Sequence, residues 1–145
     1  MSELLTNFDA IIDDEKEGIA KVEQPVIITR GTGNIQGIIN TKKEDIGTFE
    51  WYNIDKLLTF KLTSCDAENI NYSEIKLASK IDFPAVSNLT TLTTVRYDSK
   101  SRSTIPLVFN CQVTNNTIDI LFNENKINSS IIRAILYRWF IIQLN

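Results

Sequence analysis

The chain has 145 residues, 43% of them apolar and 23% charged, with 18 acids against 15 bases for a net charge of −3. That length and balance fit one folded domain, exclude whole-chain disorder and lack the basic excess of a nucleic-acid surface. There is no histidine, which removes the commonest general base, the commonest metal ligand and the usual switch near neutral pH.

From Ser2 to about Lys21, residues Leu4, Phe8, Ile11, Ile12 and Ile19 fall on one stripe of a 3.6-residue helix. Ser2 serves as N-cap, and Asp9, Asp13, Asp14, Glu15 and Glu17 take the solvent face. The expectation is an amphipathic helix over 1–21, followed by a β domain over 22–145, within a single domain overall. Pro25 cannot continue the helix.

After Pro25 the apolar period changes from 3.6 to 2. Val26-Ile27-Ile28-Thr29 predicts a strand, Gly31-Thr32-Gly33-Asn34 its turn and Ile35 to Asn40 the return. Thr48 to Tyr52 and Leu57 to Thr63 predict a second pair around Asn53-Ile54-Asp55, with Leu58, Phe60 and Leu62 alternating against Thr59, Lys61 and Thr63. Ile75, Leu77, Ser79 and Ile81 repeat the alternation before Pro84, and Leu89 to Tyr97 predicts a Thr-rich strand. Asp98 to Ser103 reads as a polar loop. Thr104 to Thr114 and Thr117 to Phe122 flank Asn115-Asn116, a strong hairpin signal, and Asn123 to Ser130 reads as a loop.

The last stretch, Ile131 to Leu144, is the most apolar and aromatic in the chain. A terminus of this kind is held against something. As a helix it would be apolar on nearly every side, whereas its density of Ile, Tyr, Trp and Phe suits a strand, which is the preferred reading. Arg133 and Arg138 interrupt it and it falls short of the ~20 residues of a membrane helix, so no transmembrane span is expected. The pattern as a whole predicts a mainly β fold, an antiparallel β-sandwich or jelly-roll-like domain with an N-terminal amphipathic helix.

Chemistry-bearing motifs are sparse. Cys65 and Cys111 have no metal-ligand spacing, and with no secretory leader at the start both are expected as free, buried thiols. The same missing leader makes the Asn-x-Ser/Thr triplets at Asn71, Asn88, Asn115 and Asn128 a product of composition, not of glycosylation. Arg30-Gly31-Thr32-Gly33-Asn34-Ile35-Gln36-Gly37 has the glycines of a phosphate loop, but its third glycine is one place late and no helix start follows, so a hairpin turn is preferred. Asp13, Asp14, Glu15 and Glu17 point outward from a helix and do not converge on a cation. Arg96, Lys100 and Arg102 read as a solvated loop. No Ser or Cys nucleophile has a base partner, and neither a cofactor nor a metal is expected.

The aromatic residues stand out instead. Trp51, Tyr52, Tyr137, Trp139 and Phe140 are the candidate interface residues, because large aromatics anchor protein contacts. The expected function is that of a non-enzymatic structural or assembly protein that self-associates through its apolar C-terminal segment. The suggested setting is a phage or virus particle, as a capsid-associated, neck, baseplate or fibre-attachment component. Its partners would be itself and other structural proteins, with neither membrane nor nucleic acid, in the virion or host cytoplasm. The alternative is a carbohydrate-binding β-sandwich module that stacks sugars on Trp51 and Tyr52.

Overall fold

The computed structural model describes residues 27–66, 72–123, 127 and 129–145. The helix expected over 1–21 and its acids Asp13, Asp14, Glu15 and Glu17 lie outside the described residues. Among the described residues the strands are β1 (Ile28–Ile39), β2 (Lys42–Ile54), β3 (Leu57–Cys65), β4 (Glu74–Ser79), β5 (Thr90–Asp98), β6 (Ser103–Val113), β7 (Thr117–Phe122) and β8 (Phe140–Gln143), with one helix, α1 (Ser129–Ile135), before β8.

The eight strands form one sheet in the order β5-β6-β7-β4-β1-β2-β3-β8, with every pairing antiparallel. This replaces the expected sandwich: instead of two facing sheets, one sheet curls until its ends nearly meet as a barrel. The curl is visible across the gap, where Phe109 of β6 meets Phe140 of β8 edge-on with ring centroids 5.2 Å apart. Alternation of apolar and polar residues specifies one buried face per strand, and a single rolled sheet satisfies that pattern as well as a sandwich does.

The first strand pair departs from expectation. Gly31-Thr32-Gly33-Asn34 is not a turn but the middle of β1, and the chain reverses at Asn40-Thr41. Gly31, Gly33 and Gly37 share the inner face with Ile35, and aromatic rings from elsewhere in the chain occupy the space their side chains would fill. A Cβ on Gly31 would lie 2.7 Å from the Trp51 indole, and on Gly33 and Gly37 it would overlap Phe49 and the Ala78 carbonyl, and Tyr72, respectively. Glycine here provides close approach.

The core holds Trp51, Phe49, Phe60, Leu58, Leu62, Ile75, Leu77, Phe109, Ile118 and Ile120 inside the barrel. Burial of each such side chain contributes about 1.5–3 kcal/mol. The link from β4 to β5 closes one end: Phe83 N donates to Asn115 O at 2.8 Å, Ser87 N to Val113 O at 3.1 Å, and the Phe83 ring packs 4.9 Å from that of Trp51.

The C-terminal segment is also corrected. Instead of one strand over 131–144, the chain forms α1, breaks at Tyr137 and resumes as β8. Ile131, Ile132, Ala134 and Ile135 are the buried residues of α1, which packs against β5. Tyr137 adopts φ 62°, a left-handed helix-ending conformation that glycine normally supplies, and its N–H donates to Leu62 O at 2.9 Å. α1 therefore sits where β5 and the β3–β8 end of the sheet do not pair.

Candidate interaction face

The five aromatic candidates divide by strand parity. In β2, Phe49, Trp51 and Asn53 point inward while Glu50, Tyr52 and Ile54 point outward; in β8, Phe140 and Ile142 point inward while Ile141 points outward. Trp51 is fully buried and Phe140 is 7% exposed, so both are interior groups. Trp139 is 45% and Tyr137 65% exposed.

Tyr52 and Trp139 come together although 87 positions separate them in the sequence. Register explains it: Tyr52 pairs with Thr59, and Thr59 with Ile141, which places one outward row across three strands. In the next row Glu50 pairs with Lys61, and Trp139 follows at the head of β8. The rings of Tyr52 and Trp139 lie 5.5 Å apart at 48°. Lys61 Nζ sits 4.7 Å over the Trp139 ring and 3.5 Å from Glu50 Oε1, a cation held between a π face and a carboxylate.

Around this pair the surface is apolar. Leu57 and Ile141 are exposed neighbours, and Tyr52, Ile54, Thr59 and Trp139 line a shallow depression of about 270 Å³. A second depression, of about 360 Å³, continues onto β1 through Arg30, Thr32 and Glu50. The face has an apolar middle with Arg30, Glu50 and Lys61 along one side. Ile54, Thr59, Lys61 and Ile141 were not singled out from the sequence. Their signal is strand alternation, which becomes a surface only once the β3–β8 pairing is known.

The remaining motifs hold little chemistry. Cys65 and Cys111 are free thiols. Burial, reinforced by Asp66, raises Cys65 to about 11, and burial raises Cys111 further, so neither is a thiolate at neutral pH. Tyr72 is raised to about 12 by burial and by its hydrogen bond to Glu44 Oε1, 3.1 Å long. Among the described residues no three His, Cys, Asp or Glu side chains gather as a metal site, and no helix is long and apolar enough to cross a membrane. No protein-family model, curated protein or solved structure matches this chain.

Proposed function

We propose that the protein is a non-enzymatic assembly component that packs the outer face of β2, β3 and β8 against a second copy of itself. The observation that supports this most directly is the cluster of Trp139, Ile141 and Leu57, exposed side by side over Tyr52 while the alternate side chains of the same strands fill the core. Exposed apolar groups in one patch mark interaction surfaces more often than scattered ones do. The neighbouring Glu50 and Lys61 give the face one acid and one base, so two copies related by a twofold axis place unlike charges opposite each other. Protonated thiols and the lack of any histidine fit a role without nucleophilic chemistry. As in the sequence reading, the setting is the particle of a phage or virus, by analogy with its small β-rich structural components, and other structural proteins of that particle are further partners.

The experiment is light scattering coupled to size exclusion over a dilution series. A defined oligomer that Trp139→Ala dissociates supports the reading. A monomer at every concentration overturns self-association.

A second reading, a carbohydrate-binding module, draws on the same tilted Tyr52–Trp139 pair, which offers ring faces for a sugar. Trp51 does not serve it, being enclosed in the core. Quenching of Trp139 emission by glycans in a monomeric protein would favour this reading over the first.

A further inference from the structure

The outer face of β1, β2, β3 and β8 is built in rows that differ in character. The row at the end of the sheet where β1 starts runs Ile28–Ile54–Leu57–Gln143, the next runs Arg30–Tyr52–Thr59–Ile141, and the third runs Thr32–Glu50–Lys61. Apolar side chains therefore gather in the two rows nearest the start of β1, with Trp139 against Tyr52, and the Glu50–Lys61 ion pair lies farther along. Among the described residues nothing covers this end of the face: Leu57 is 46%, Ile141 57% and Trp139 45% exposed.

The chain enters β1 at this apolar end. Residues 1–26 precede the described part of the chain, and Ile27 leads directly into Ile28 of the first row. Neighbouring strands lie about 4.8 Å apart, so the distance from β1 to β8 is about 14 Å. Even at the rise of a helix, about 1.5 Å per residue, residues 1–26 are long enough to cover about 39 Å and so to cross the face. Their composition complements it in two ways. Leu4, Phe8, Ile11 and Ile12 fall on one apolar stripe. Residues 1–26 also carry seven acids and two bases, whereas the rest of the chain has 11 acids and 13 bases. Of those bases Arg30, Lys56 and Lys61 border the apolar rows, against the acids Glu50 and Asp55.

We propose that residues 1–26 of the same chain dock on this face, with the stripe of Leu4, Phe8, Ile11 and Ile12 against Tyr52, Ile54, Leu57, Trp139 and Ile141. Tethering favours this occupant over a second copy in dilute solution, because a segment joined to β1 acts at an effective concentration on the order of millimolar. Docking concerns the face proposed above as a contact between copies but does not rest on that contact. Where copies do associate, the segment competes with them, and its release opens the face.

The test is quenching of tryptophan emission by acrylamide in the full chain, over dilutions followed by light scattering. The chain has two tryptophans, and Trp51 is enclosed in the core, so the accessible signal belongs to Trp139. The expected result is a Trp139 protected in the monomer that loses its protection in Phe8→Asp/Ile12→Asp. Thr6→Asp/Ala10→Asp adds the same charge off the stripe and is expected to keep the protection. The same variants carrying Trp139→Phe report Trp51 alone, and its unquenched emission shows that the barrel is intact; Phe8→Ala/Ile12→Ala serves if the acidic pair does not fold. Equal quenching of Trp139 in the parent and in the stripe variant, or equal release in Thr6→Asp/Ala10→Asp, overturns the proposal. Protection that vanishes as the protein is diluted to a monomer also overturns it and assigns the face to a second copy. Failure of self-association is read separately, as a monomer by light scattering at every concentration, and the quenching of that monomer still decides whether the segment docks.

Discussion

Trp51 and Ser79 are joined inside the barrel by a hydrogen bond in which the indole Nε1 donates to Ser79 Oγ at 2.9 Å, and the same hydroxyl donates onward to Ile81 O at 2.6 Å. The bond spans from β2 across β1 to the end of β4, because Gly31 has no side chain to keep the indole away. A buried indole N–H without a partner is costly, and Ser79 supplies that partner from a strand that β2 does not touch in the sheet.

Two substitutions test this arrangement. Ser79→Ala leaves the Trp51 N–H buried and unpaired, at an expected loss of about 1–3 kcal/mol. Gly31→Ala forces a Cβ into the indole, at about 1–3 kcal/mol by overpacking. Denaturant midpoints read both, and because the two changes act on one side chain their effects are expected to be non-additive in the double variant.

The β1–β2 turn predicts a gain. Asn40 and Thr41 have φ of 49° and 68°, as a two-residue hairpin turn of the primed kind requires. Asparagine tolerates that region, but a β-branched threonine does not. Thr41→Gly is expected to raise stability by about 1 kcal/mol, relief of left-handed strain outweighing the added freedom of the unfolded chain. A lower melting temperature in Thr41→Gly would count against the strained turn.

Tyr72 sets an alkaline limit. Its ordinary pKa of 10.0 is raised to about 12, first by burial and then by the Glu44 carboxylate that accepts a hydrogen bond from its hydroxyl. Folding thus favours the protonated phenol. Its contribution is complete below pH 10 and declines as pH rises from about 10 to about 12. Tyr72→Phe is expected to flatten that part of the stability profile, measured by urea unfolding at successive pH values.

Most of the strands were legible in the sequence because alternation is a local signal: Leu58, Phe60 and Leu62 turn inward as their spacing requires, and the Asn115-Asn116 reversal joins β6 to β7. Two regions misled for opposite reasons. Gly31 and Gly33 resemble turn residues, and only the presence of Trp51 and Phe49 against them, set by β1–β2 pairing, makes them strand residues. Ile131 to Leu144 looks like one apolar run because it is buried first as a helix and then as a strand, with the switch at Tyr137, a residue type that does not announce a helix end. The exposed aromatic face was half legible. Tyr52, Tyr137 and Trp139 are exposed or partly so, but which aromatics face outward depended on register, and that placed Trp51 and Phe140 in the core.

Trp139 and Phe140 give the sharpest separation of packing from assembly, because Trp139, just before β8, is exposed whereas Phe140, the first residue of β8, points into the core. Phe140 contacts Phe60 and Phe109 at ring-centroid distances of 5.6 and 5.2 Å, so Phe140→Ala is expected to cost about 3–5 kcal/mol through the cavity it leaves. Trp139 touches Tyr52 and Lys61 on the outside. Trp139→Ala is expected to change the unfolding free energy of the isolated chain by less than about 1.5 kcal/mol, the scale of an aromatic pair plus an exposed cation–π contact. In the self-associated state proposed above, the same substitution would remove a side chain covered by the second copy, and truncation of such an aromatic anchor commonly costs about 2 kcal/mol or more of association, roughly thirtyfold in the dissociation constant. Light scattering and urea unfolding on the two variants therefore give opposite patterns: one loses stability at all concentrations, and the other loses only its assembly. If Trp139→Ala instead lowers stability as much as Phe140→Ala does while the oligomer persists, the outer face belongs to the fold and the contact between copies lies elsewhere.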